Sequence, residues 1–406
     1  MIRVRMRHCD QTAAELVAVG FGGLRRIEAH EQLPSAIGHT CGTALHLQAG
    51  RQGLMGVLVQ GNGHGASVAL PSFTCRAAVD SILAAGREPR FVDIREELNL
   101  DPVDVECRLR DDVAAVIVPH MFGRPADIEA IETLCRPKGI LVIDDAAAAM
   151  GIKHGGRYLG TFGDAGVFSF AQQKSLVAGQ GGLLLANSER MQKALEGLEL
   201  AEPNQWRAFA EALWWQWEYR YRHRLSWLRY YLVRVKRMLF GMPRKRPIRM
   251  EKMPRVYEAI ARVQIQRMDE ILGRRAQNCK ALYERLKDTP GLLIPQYYEG
   301  CMLTRFFVRT PGLRWEYNEN GVEKPHPLAA HLGRLGIETG RPYYPLHLHR
   351  EFRQYADRPL PRTEEIAPEL VALPVQGKMG EWEYDAIAEG VRSFFSARVE
   401  AHETEA

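Results

Sequence analysis

Between residues 55 and 190, short apolar runs alternate with segments whose apolar residues recur every three or four positions. The runs predict strands over Ala66–Leu70, Arg90–Ile94, Ala114–Pro119, Ile140–Asp144, Ala165–Phe170 and Gly182–Ala186. The periodic segments predict helices over Arg76–Ala85, Ala126–Cys135 and Glu189–Leu198. The stretch from Ala44 to Leu47, preceded by Cys41, Gly42 and Thr43, reads as the start of another helix. Strands that are apolar on both sides need cover on both sides. The expected architecture is therefore α/β, with a mostly parallel central sheet between helices.

The pattern changes at residue 203. Trp206, Phe209, Leu213, Trp217, Tyr221, Leu228, Tyr231, Val235 and Leu239 recur at helical steps among arginines. They predict a helical stripe that stops at the turn from Gly241 to Pro247. A further helical pattern runs from Met253 to Leu286. From Pro290 to about Phe395, short strands and helices mix. These shifts predict a large domain over 1–202, a Trp/Arg-rich helical insertion over 203–254, and a connecting helix with a small C-terminal α/β domain over 255–406. Two domains also suit a chain of 406 residues.

Composition adds little beyond an ordinary globular chain, 46% hydrophobic and 25% charged. No stretch reaches the roughly 18 apolar residues of a spanning helix, and no basic, then apolar leader opens the chain, so a cytoplasmic protein is expected. Seven scattered cysteines with no Cys-x-x-Cys pair speak against a disulfide framework or zinc ribbon. The net charge of +5 is local: Arg220 to Lys252 holds twelve Lys/Arg and one acid, Glu251. Nucleic acid is therefore not an expected partner. The basic, Trp-rich insertion fits three roles: packing on a partner subunit, peripheral contact with anionic lipid, or a lid over a diphosphate.

Candidate chemistry centres on Lys174. It follows Ser169 by five residues and Asp145 by twenty-nine, and precedes the glycine-rich segment from Gly179 to Gly182. Ligands of such sheets gather at the carboxyl ends of strands, where Ser72, His120, Asp144, Asp145 and Ser169 are expected. A lysine that holds pyridoxal phosphate (PLP) as a Schiff base needs a carboxylate for the pyridine nitrogen and an anchor for the phosphate. Asp145 is the preferred carboxylate, with Asp144 facing the other way along the strand as its competitor. Ser169 would donate to the phosphate. Gly42 and Thr43 would add backbone N–H groups at a helix start. His120 reads equally as a packed strand-end histidine or a cofactor contact, and Tyr344, His347 and His349 as substrate-facing or as a polar domain junction.

These residues, with the segments Leu70 to Cys75, Pro119 to Gly123, Ile143 to Ala147, Phe168 to Phe170 and Tyr343 to His347, resemble the DegT/DnrJ/EryC1/StrS family of sugar aminotransferases. The resemblance implies a type I PLP-dependent transferase fold and a homodimer with shared active sites. It implies transfer of an amino group, usually from glutamate, to a keto sugar carried on a nucleotide. Matching positions make Lys174 the Schiff-base lysine, Asp145 the pyridine partner, and Ser169, Gly42 and Thr43 phosphate ligands. Cys75 falls where the family often has an aromatic residue against the ring, and Ala148 where it usually has Gln. The family's Asn-Tyr-Arg phosphate element has no clear counterpart. A ketocyclitol acceptor, or a degenerate membrane-peripheral binding protein on the same fold, are the alternatives.

Overall fold

A computed structural model of the chain describes residues 4–6, 11–22, 32–39, 42–61, 65–221, 247–318, 321–375 and 377–405. Its centre is a seven-stranded sheet in the order Ala44–Leu47, Gly182–Ala186, Ala165–Ser169, Leu141–Asp145, Val113–Pro119, Ser67–Pro71, Glu88–Val92. The last five run parallel, and Gly182–Ala186 is antiparallel to both its neighbours. All seven residues of Val113–Pro119 are buried, which is why that run carries no polar alternation.

Two cores cover the two faces. One gathers Leu54, Val57, Leu58, Val79 and Ile82 from helices Gly50–Gln60 and Arg76–Ala84. The other gathers Ile128 and Ile131 from Ile128–Cys135, with Val256, Tyr257 and Ile260 from Arg255–Gln266. Helix starts follow local chemistry. Asp101 accepts from Val103 N–H at 3.1 Å with Pro102 behind it, and Ser188 accepts from Met191 N–H at 3.3 Å.

The segment expected to begin a helix at Ala44 is instead the sheet's edge strand, paired with Gly182–Ala186 from Ala44↔Leu185 to Leu47↔Gly182. The helix begins only at Gly50. Four residues are too few for periodicity to separate helix from strand, and the neighbouring strand decides.

The excursion after residue 201 leaves and returns at one place. Ala201 bridges Glu251, and Leu47 bridges Lys252. Its first helix, Gln205–Tyr221, buries the expected stripe only in part, through Phe209 against the core. Ala208, Ala212 and Gln216 are buried, while Trp206 is 80% exposed and Leu213 41%. Small residues let this helix approach closely; Trp206 and Trp214 are left outside, while Trp215 packs against Gly179. The stripe from Leu228 to Leu239 lies outside the described residues. Among the described residues no helix is long and apolar enough to cross a membrane.

The long helix Met268–Leu286 leads to a smaller unit. There Phe306–Arg309 pairs antiparallel with Leu370–Leu373, and Pro327–Arg334 and Glu381–Glu405 pack alongside. Val4, near the start of the chain, belongs to this core through a bridge to Ile337. Phe73, Phe122, Phe307 and Leu370 form the apolar joint between the two units.

Candidate active site

Parallel pairing aligns Pro119 with Asp145 and Asp145 with Val167, so the strand ends carrying His120, Asp145 and Ser169 lie side by side. Lys174 sits on the excursion that follows Ser169. Its neck is closed by Phe170 N–H donating to Gly181 C=O and Ala178 N–H donating to Phe170 C=O, each at 2.9 Å. The loop is pinned on both sides of the lysine. Buried Arg275 donates through Nη2 to Lys174 C=O at 3.1 Å, and Ser175 Oγ donates to Ala148 C=O at 2.7 Å. The turn at Ala148 thus holds the lysine loop through its main chain. Lys174 itself is half-buried.

The two adjacent aspartates have opposite surroundings. Asp144 is fully buried and saturated: Oδ1 accepts from His120 Nε2–H at 2.7 Å, and Oδ2 accepts from Gly160 N–H at 2.6 Å and Phe162 N–H at 3.0 Å. His120 Nδ1 accepts from Ala126 N–H at 2.9 Å, so both its ring nitrogens are engaged in the framework. Asp145 Oδ1 accepts only Ala147 N–H at 3.1 Å, and Oδ2 accepts no hydrogen bond among the described residues. Burial pushes the Asp145 carboxyl above the ordinary carboxylate range. The Lys174 ammonium is the strongest influence pulling it back, followed by Ala147 N–H and His120. Asp145 is the carboxylate left available.

Ser169 ends Ala165–Ser169 and is 9% exposed; its Oγ accepts from Ala171 N–H at 3.3 Å. Against it lies the start of helix Gly50–Gln60. A Cβ on Gly50 would stand 2.8 Å from Phe168 O and 3.2 Å from Ser169 Cβ. Only glycine allows the helix's first N–H groups to come this close to the strand end.

Gly42 and Thr43 do not join this cluster, which corrects their expected place at a helix start. They precede the edge strand; Thr43 C=O accepts from Ala186 N–H at 2.9 Å. Ala186 pairs with Ala165, whereas Ser169 pairs with Gly182 at the other end of the same strands. Gly50, rather than Gly42 or Thr43, begins the helix that stands against Ser169. A strand followed by glycine and an apolar helix was the available signal. Cys75 caps helix Arg76–Ala84 and is partly exposed.

Tyr343, Arg305, Phe122 and Gln173, none of them expected here, gather at the same place. Burial raises the Tyr343 phenol pKa; Lys174 and Arg305 pull it down, while Cys75 and Asp145 push it up. Four groups from four segments therefore lie within electrostatic reach of one phenol. Tyr343 stacks on Phe122 with centroids 5.3 Å apart and meets Phe73 edge-on at 5.9 Å. His347 points away. Its Nε2–H donates to Glu364 Oε1 at 3.1 Å and its Nδ1 accepts from Ser72 Oγ–H at 2.6 Å. Burial keeps its pKa below the usual histidine range. It clamps the Tyr343 segment to the end of Ser67–Pro71. Tyr344 lies 4.8 Å from the Tyr317 ring and 6.4 Å from His349.

The sequence pattern of the DegT/DnrJ/EryC1/StrS aminotransferase family matches residues 30–392. The chain is 27% identical over 353 residues to dTDP-4-dehydro-2,3,6-trideoxy-D-glucose 4-aminotransferase of Saccharopolyspora spinosa, covering 84% of this chain and 80% of the relative. It is 26% identical over 338 residues to the spore coat polysaccharide biosynthesis protein SpsC of Bacillus subtilis (strain 168), covering 82% and 80%. The solved aminotransferase TlmJ from Streptoalloteichus hindustanus matches with a TM-score of 0.74 at 25% identity, over 98% of this chain and 100% of that one. A free carboxylate beside a loop-borne lysine, on this sheet and across this length, leads to one conclusion: the chain belongs to the DegT/DnrJ/EryC1/StrS aminotransferase family, fold-type I enzymes that transfer amino groups with PLP.

Proposed function

We propose that this enzyme moves an amino group from glutamate or a similar donor to a keto sugar carried on a nucleotide, for glycan or secondary-metabolite assembly. The observation that carries the site assignment is the contrast between saturated Asp144 and available Asp145, which has Lys174 as its strongest favourable partner.

The residues fit the cofactor. A desolvated carboxylate with an unused oxygen suits a protonated pyridine nitrogen. A hydroxyl beside a closely packed helix start suits a phosphate. When bound, PLP supplies an electron sink for charge developing at the substrate carbon.

In this reading Lys174 Nζ holds the cofactor, then, once the substrate amine displaces it, takes and returns the proton at the substrate carbon. Asp145 would hold the cofactor's ring nitrogen through its unused oxygen and keep the proton there. Ser169 Oγ and the N–H groups at the start of Gly50–Gln60 would bind its phosphate, with no part for Gly42 and Thr43. Cys75, within electrostatic reach of Tyr343, would offer the cofactor's ring a thin group in place of a flat one. Borohydride reduction of holoenzyme followed by peptide mapping tests the covalent link. The label is expected on Lys174; a label elsewhere, or none, rejects the assignment. Lys174→Ala should lose both the visible absorption that a lysine-bound PLP gives and turnover.

The exposed Trp206, Leu213 and Trp214 beside the basic stretch support an auxiliary role for residues 203–254. We assign that face to the partner subunit of a homodimer with shared active sites, in a cytoplasmic enzyme whose large domain spans 1–202 and whose connecting helix and small domain span 255–406. Flotation with anionic liposomes separates this from a lipid contact: a dimer that floats would favour the membrane.

A further inference from the structure

We propose that Arg305 binds a carboxylate of the amino donor and so selects the donor. This rests on the aminotransferase reading and deepens it. Arg305 is half-buried and directly precedes strand Phe306–Arg309. Its guanidinium carbon lies 5.6 Å from the Phe122 ring centroid and 5.7 Å from that of Tyr343. Nη1 donates to Arg341 C=O at 3.2 Å, and Nη2 donates to the side-chain carbonyl of Gln173. These partners are neutral. Among the described residues no carboxylate forms an ion pair with Arg305, whereas Arg309, four residues on, is surrounded by Glu96, Glu365 and Glu369. Aromatic faces and neutral acceptors orient a guanidinium without neutralising it, and leave its planar fork for an incoming anion.

Backbone strain converges on the same group. Three non-glycine residues among those described have left-handed backbones: Leu98, Phe122 (φ 57°) and Gln173 (φ 67°). Two of the three touch Arg305, one through its ring and one through its amide. Such conformations are unfavourable for bulky side chains and persist where the surroundings impose them. Gln173 immediately precedes Lys174, so the strained residue that orients the guanidinium is bonded to the one that carries the reacting amine. Arg305 and Lys174 also act on the same Tyr343 phenol.

The anion could come from the donor's carboxylate or the acceptor's diphosphate. Proximity to Lys174 favours the carboxylate. An amino acid's carboxylate is attached to the carbon that reacts, whereas a nucleotide's diphosphate is joined to a different carbon of the sugar from the one that reacts.

The test uses holoenzyme, wild type and Arg305→Gln, with succinate as an unreactive carboxylate probe and UDP as a diphosphate probe, both measured by calorimetry. Succinate should bind the variant roughly tenfold to hundredfold more weakly, with UDP unchanged. Arg305→Lys, which keeps the charge and loses the fork, should recover part of the difference, and it serves as the reporting variant if Arg305→Gln does not fold. Equal succinate binding in wild type and variant, or no succinate binding to wild type, overturns the proposal. So does a loss confined to UDP. The spectral response of wild type to L-glutamate is read separately. No response would count against the aminotransferase reading, while succinate still decides Arg305.

Discussion

Asp144 and Asp145 are neighbours with identical side chains, and pleating alone gives them different fates. Asp144 turns toward His120 and the N–H groups of Gly160 and Phe162, while Asp145 turns toward Lys174. Asp144→Asn breaks a fully buried network and should destabilise the apoprotein by about 2–4 kcal/mol, read from urea unfolding. Asp145→Asn removes a carboxyl that burial already penalises. It should leave apoprotein stability within about 1 kcal/mol of wild type, yet lower turnover by roughly a hundredfold or more. A variant pair with these two profiles exchanged would reverse the assignment. The alternation that separates the two acids is a local property and can be read along the strand. Arg305 and Tyr343 cannot be found that way. They reach the lysine from residues more than a hundred positions later, and no local pattern marks either.

At the scale of elements, the site depends on how closely helix Gly50–Gln60 approaches the end of Ala165–Ser169. A Cβ at residue 50 meets a backbone oxygen, which cannot rotate away. Gly50→Ala should therefore push the helix start outward, cost about 1–3 kcal/mol of stability, and speed loss of PLP on dialysis. Retention as slow as in wild type would remove this helix from the phosphate contact. The parallel strands were legible because each is apolar throughout. The edge strand Ala44–Leu47 was not, since its pairing with Gly182–Ala186 spans well over a hundred residues of sequence. Helix Gln205–Tyr221 shows a related limit. Its period was visible, but which face turns inward was set by the close packing of Ala208 and Ala212.

At the scale of the whole molecule, the small unit delivers Arg305 and Tyr343 to the large one, so its integrity governs the site. That unit contains His326, fully buried. Its Nε2–H is 2.9 Å from both Leu313 C=O and Thr310 Oγ1, and its Nδ1 accepts from Leu328 N–H at 3.2 Å. Burial lowers its pKa from 6.5 to about 4. The unfolded chain takes up this proton first as pH falls. The stability held by neutral His326 is therefore complete above pH 6.5 and is lost as pH drops toward 4. Between pH 7 and pH 5 this group alone should remove about 2 kcal/mol. Urea unfolding of wild type and His326→Asn at the two pH values checks this: the variant's acid loss should be smaller by about that amount.

The sequence by itself determined the α/β class and the order in which acids and hydroxyls follow along the parallel strands, because apolar runs, strand alternation and short spacings are properties of neighbouring residues. The tertiary structure decided which aspartate is free, which glycine admits the helix to Ser169, which face of the Trp-rich helix is buried, and that an arginine from the small unit stands beside Lys174. Strand alternation sets the two aspartates apart, but which one is left available, like the other three, depends on what a distant segment places against the residue, through burial, close packing or charge.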